Sequence, residues 1–133
     1  MKFEEPKLRY ATEKAINELA SELGLPENTQ DWEWIVGKSE NIEKYINHYN
    51  ILTDDDKKFI LMEVIIQAAT DLSDDVSFIK FWNIIKQLLK ENFTTHEYSI
   101  FYWCCFDTEN INDCWQITPY VRQLWFEVKP ERT

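Results

Sequence analysis

Apolar residues recur along most of the chain at three- and four-residue spacing, the period of a helix buried on one side. After Pro6, the residues Leu8, Ala11, Ala15, Ile16, Leu19, Ala20 and Leu23 mark one such stripe, and Gly24 then Pro26 supply a stop. From Pro26 to Gly37 the pattern has two readings. Trp32, Trp34 and Val36 alternate as in a strand, whereas Asp31 can cap a short helix. A short helix is expected there. Ser39 can cap another through Asn50, with Ile42, Tyr45, Ile46 and Tyr49 on one face.

Two similar boundaries follow. Leu52-Thr53-Asp54-Asp55 and Leu72-Ser73-Asp74-Asp75 lie 20 residues apart, and each opens a long apolar run. In each, the hydroxyl can cap a helix while the aspartates favour the positive end of its dipole. The run from Asp54 to Leu72 is apolar nearly all round, as in a central helix; that from Asp75 to Glu91 carries a stripe of Phe78, Ile79, Trp82, Ile85, Leu88 and Leu89, which Phe81 and Ile84 widen. Asn92 is a plausible stop, and Thr94 with Glu97 forms a T-x-x-E capping pattern.

Tyr98–Phe106 has the composition of a buried strand but helical 98/101/102/105 spacing, and no other segment offers a strand to pair with it. Helix is the expectation. Asp107–Gln116 reads as a polar loop, and Thr118-Pro119, a capping hydroxyl followed by Pro at the first helical position, starts a last helix that Pro130 ends. The pattern predicts an all-α single domain over residues 1–133, with six or seven helices in antiparallel hairpins. The paired boundaries hint at stacked, HEAT-like hairpins.

Composition narrows the function. Only two glycines, Gly24 and Gly37, stand far apart, so phosphate-cradling and dinucleotide-binding loops are absent. The formal charge is −10, and residues 31–75 hold 11 acids against 4 lysines. Such a surface repels nucleic acid and anionic membranes and attracts basic proteins, although net charge also serves solubility. The first twenty residues lack an uninterrupted apolar stretch, no segment approaches the ~20 apolar residues of a span, and Cys104, Cys105 and Cys114 do not resemble a disulfide framework. A reduced, cytoplasmic protein is expected.

Candidate chemistry is sparse. Zinc ligands usually come in C-x2–4-C pairs, and adjacent Cys104 and Cys105 diverge by ~100° on a helix. The loop 107–113 carries acids at calcium-loop positions 1, 3 and 7 but has Ile111, Asn112 and Thr118 where the geometry is most demanding. His96 and the cysteines two to three turns along its helix are too far apart for a nucleophile–base pair. His48, near a helix end, reads as a surface histidine. No metal, cofactor or catalytic residue is assigned.

Two aromatic-acidic segments remain: Asp31-Trp32-Glu33-Trp34, and the stretch from Tyr102 to Trp115, in which Asp107, Glu109, Asp113 and Trp115 are the binding candidates. Tryptophans dominate interface hot spots, and neighbouring carboxylates suit Lys or Arg of a partner. Against this, Trp103 and Phe106 read as core, Trp115 can pin its loop, and Trp32 and Trp34 point to different faces if their segment is extended, which would expose one of them.

In size, charge, helical pattern and these two segments, the chain resembles the small, acidic, mostly helical immunity proteins of bacteria that neutralise a toxin by binding it. The resemblance implies stoichiometric inhibition of a basic toxin domain, with no chemistry of its own. A DNA mimic, and a small helical enzyme or metal-binding domain around His96–Cys114, are the alternatives.

Overall fold

In a computed structural model describing residues 5–26 and 31–129, seven α-helices follow one another, and no strand occurs among the described residues. They are α1 (Glu13–Leu23), α2 (Trp32–Val36), α3 (Ile42–Tyr49), α4 (Asp55–Thr70), α5 (Asp75–Glu91), α6 (Phe93–Cys104) and α7 (Thr118–Val128). The all-α expectation holds, with seven helices. The stop assigned to Pro130 lies outside the described residues.

Contacts radiate from α4, which packs against α1, α2, α3, α5 and α6, while α7 packs on α6. The cause is visible in its sequence. Ten of its residues, including Phe59, Ile60, Met62, Ile65 and Ile66, are buried, so it has apolar side chains for neighbours on several sides. α5 follows a similar boundary but buries only Phe78, Trp82, Ile85 and Leu89. Ile79 and Ile84, expected on its buried stripe, are exposed at 40% and 38%.

Several helix starts differ from expectation by a residue or more, each for a local reason. Asp54 and Asp74, not the preceding hydroxyls, are the N-caps: Asp54 accepts from the backbone N–H groups of Asp56 and Lys57, and Asp74 from Ser77. The stripe after Pro6 becomes helical only at Glu13, where Thr12 accepts from the Ala15 N–H at 3.2 Å. Asp31 precedes α2 with a left-handed backbone (φ 60°) and no side-chain cap bond; a capping side chain works from extended backbone. Ser39 opens a 3-10 turn, Ser39–Asn41, and its hydroxyl donates to the Ala68 carbonyl at 2.7 Å instead of capping α3. Thr94 already lies in the first turn of α6, so Glu97 closes no capping box and pairs with Lys129.

The C-terminal end of α6 is held from α7. Arg122 donates to the carbonyls of Cys104 (2.6 Å) and Cys105 (2.8 Å), the last of which has φ 56° and ends the helix. Thr118 donates to the Trp103 carbonyl at 3.0 Å rather than capping α7, whose first turn contains Pro119 as expected.

Candidate functional site

The short helix α2 is fixed on its inner side and open on its outer side. Trp32 is 1% exposed and donates its indole N–H to the Pro26 carbonyl at 2.9 Å, and Val36 is buried one turn on. Tyr45 donates to the Val36 carbonyl at 2.7 Å. Gly37 brings α2 against α4 so closely that a Cβ there would lie 2.8 Å from Gln67 Cγ. Two residues along a helix turn by ~200°, so Trp34 faces away from Trp32 and is 66% exposed. Of the two candidate tryptophans in this segment, Trp32 belongs to the core and Trp34 to the surface.

The loop after α6 is anchored as firmly. Gln116 donates to the carbonyls of Thr70 (3.1 Å) and Leu72 (2.8 Å), capping the end of α4, and the Ile117 N–H donates to the Thr70 hydroxyl. This clamp lays Trp115 on Trp103, with ring centroids 4.5 Å apart, and stacks it on Tyr102 at 5.5 Å. Trp115 is still 36% exposed, so it both pins the loop and presents a face.

These two segments meet. An open groove of about 830 Å³ is bounded by Asp31, Glu33 and Trp34 from the α2 region and by Trp115 from the loop. Glu63 and Gln67 of α4, Tyr98, Tyr102 and Trp103 of α6, and residues 8–11 also line it. Residues 8–11 are held by Arg9, which pairs with Asp56 at 2.9 Å and lies over the Phe59 ring at 5.4 Å. Three acids therefore line the groove against one arginine, itself already paired.

Glu63 has the most constrained carboxylate there. Ser99 donates to one oxygen at 2.5 Å and the Trp103 indole N–H to the other at 3.0 Å. Burial pushes its carboxyl above the usual carboxylate range, against the downward pull of those two hydrogen bonds. Glu63 does not stand out in the sequence because its helix is apolar nearly all round. The available signal was that Glu63 and Gln67, four residues apart, share one face of an otherwise apolar helix.

The remaining candidates divide. Asp107 and Asp113, both exposed, line a neighbouring cavity of about 760 Å³ with Tyr98, Phe101, Cys105 and Cys114. The stacked Tyr102 and Trp115 border both cavities. Glu109 is exposed and lines neither.

The histidine–cysteine region does not gather into a centre. His96 is fully buried, with Nε2 against the Tyr49 hydroxyl at 2.7 Å. Its Nδ1 has no hydrogen-bond partner among the described residues, and burial holds its pKa down at about 3. Burial also pushes the Cys104 thiol up to about 12, away from the thiolate that reacts or ligates. Among the described residues no three His, Cys, Asp or Glu side chains converge as a metal ion requires. No helix is long and apolar enough to cross a membrane among those residues. Set against family models, curated proteins and solved structures, the chain matches none of them.

Proposed function

We propose that the chain is a protein-binding module, most concretely an immunity-type inhibitor that neutralises a basic toxin domain by stoichiometric binding. One observation carries this reading: Asp31, Glu33 and Trp34 meet Trp115, some eighty residues later, on one acidic, aromatic groove. Exposed tryptophans with flanking carboxylates provide large apolar contact area and attraction for Lys and Arg together. Acidic faces steer the encounter, and desolvation of the aromatics slows release.

The DNA-mimic alternative gains less support. Many carboxylates are committed within the fold: Asp54 and Asp74 to caps, Glu18 and Glu22 to Lys57, Glu127 to Lys86 and Lys90, and Glu97 to Lys129. A catalytic reading around His96 would need an accessible imidazole, and this one is enclosed.

The test is co-expression with any toxin domain that the neighbouring genes encode, followed by sizing of the mixture. Protection of the cells with a one-to-one complex, weakened at least tenfold by Trp34→Ala or Trp115→Ala, is the expected result. A neighbouring toxin domain that is neither bound nor neutralised overturns the immunity reading. A complex unaffected by both substitutions overturns the site.

A further inference from the structure

We infer that the groove between α2, α4 and α6 accepts a guanidinium group, the side chain of an arginine projecting from the partner, with Glu63 as its counter-ion. This rests on the binding-module reading and specifies the chemistry of its central contact.

Glu63 has acceptor capacity to spare. A carboxylate offers about four acceptor positions, and Ser99 and Trp103 take one on each oxygen. One position on each oxygen is left, the pattern a planar two-pronged donor satisfies. Both existing donors come from buried side chains of α6, so the carboxylate is held in place before any ligand arrives. No described residue supplies its counter-charge: among the described ion pairs none includes Glu63, Glu33 or Asp31, and Arg9 is turned to Asp56. A desolvated carboxylate without a cation is costly, and a cation entering from outside relieves that cost.

The walls select among cations. Trp34, Tyr102 and Trp115 present exposed ring surface around the groove. A guanidinium is weakly hydrated and planar, stacks on such faces and forks onto a carboxylate; an ammonium is a compact, strongly hydrated point charge. The volume exceeds one side chain, so the residues flanking a projecting arginine enter with it.

The experiment titrates acetyl-arginine amide into the full chain and follows the tryptophan indole N–H signals by NMR. Saturable shifts of Trp103, Trp34 and Trp115 are expected, with Trp82 and Trp125 unmoved. The citrulline counterpart, equal in shape but uncharged, should bind at least tenfold more weakly, and so should the lysine counterpart. Glu63→Gln should weaken the arginine probe at least tenfold while the indole spectrum keeps its dispersion.

Equal binding of citrulline, tighter binding of lysine, or an unchanged affinity in a folded Glu63→Gln variant each overturns the inference. If that variant fails to fold, the wild-type chain still answers: lowering the pH until Glu63 is protonated should weaken the arginine probe and leave citrulline binding unchanged. An arginine affinity that does not fall with pH then overturns the assignment. Failure of the probe while a protein partner still binds through Trp34 and Trp115 removes the guanidinium and leaves the binding module standing. Probe binding without any protein partner does the reverse.

Discussion

The Trp103 indole N–H donates to Glu63 Oε2 at 3.0 Å, and this bond joins the candidate groove to the core. Ser99, fully buried, holds the other oxygen. The two donors lose their acceptor together if the carboxylate is replaced by an apolar group. Glu63→Leu should therefore destabilise the fold by about 2 kcal/mol, within the range for a buried polar group left unpaired. Glu63→Gln should cost less than about 1 kcal/mol, because an amide oxygen can face Trp103 while its NH2 faces the Ser99 hydroxyl. Urea denaturation of both variants measures the difference. Equal losses would mean that the hydrogen bonds contribute little.

The same carboxylate and His96 should give opposing pH dependences. The Glu63 carboxyl is raised in the fold, so the folded state holds its proton more tightly than the unfolded chain. From its unfolded value near ~4.3 upward, this group makes stability fall as pH rises. His96 runs the other way. Its folded pKa is lowered to about 3, so its contribution is present above the unfolded value of ~6.5 and is lost as pH falls toward 3. The groove that Glu63 lines also holds Glu33 from α2, Asp31 just before it, Tyr98 and Tyr102 from α6, and Arg9 with Tyr10 from the stretch before α1. Removing the Glu63 titration with Glu63→Gln should leave a steeper loss of stability between about pH 6.5 and 4.5 than in the wild type. Urea midpoints across that range test it, and an unchanged slope would contradict the assignment.

Helix starts offer a cleaner comparison. Asp54 and Asp74 supply side-chain caps, while Thr53 and Ser73 supply no cap bond. Asp54→Ala and Asp74→Ala should each cost about 1 kcal/mol. Thr53→Ala and Ser73→Ala should remain within about 0.5 kcal/mol of wild type. Thermal unfolding of the four single variants ranks them directly, and a larger loss at Thr53 than at Asp54 would reverse the order.

Arg122 joins α7 to the end of α6 through two carbonyls and also lies over the Phe106 ring at 5.4 Å. Its fork reaches both acceptors from one planar group, which an ammonium on a flexible stem reproduces poorly. Arg122→Ala should lose about 2–3 kcal/mol, as expected for charge-assisted bonds to a helix end. Arg122→Lys should recover only part of that loss. Hydrogen exchange at Cys104–Thr108 should rise in both variants, and full recovery by lysine would show that charge alone suffices.

What could be read from the chain follows from which interactions are local. Helical period and glycine poverty are properties of short windows, so the all-α fold and the central position of α4 were legible. Caps were half legible: an adjacent hydroxyl and carboxylate both fit the chemistry, and only backbone geometry selects Asp54 over Thr53. Ser39 and Thr118 read as caps because hydroxyls favour that role, but each donates to a carbonyl of a distant helix. The groove was legible as two separate segments. Their meeting depends on Gln116 reaching Thr70 and Leu72 and on Gly37 lying against Gln67, contacts between residues 30 to 46 positions apart. Glu63 was hidden for the same reason, since its partners Ser99 and Trp103 lie 36 and 40 residues away.

Trp32 and Trp34 test whether the groove is a binding surface or only a feature of the fold. They are two residues apart in sequence but 1% and 66% exposed. Trp32→Ala removes a ring packed among the core residues and bonded to Pro26, and should cost about 3–5 kcal/mol. Trp34→Ala should leave the unfolding midpoint within about 0.5 kcal/mol of wild type, because a largely exposed ring loses little packing. If the groove binds a partner, affinity should nevertheless fall at least tenfold in Trp34→Ala, as for a tryptophan at an interface hot spot. Denaturation and calorimetric titration of the same preparations separate the two effects. A Trp34 variant that keeps full affinity in an intact fold would leave the α2 side of the groove without a binding role. A variant that loses both stability and affinity would place Trp34 among the supports of the fold, with Trp32.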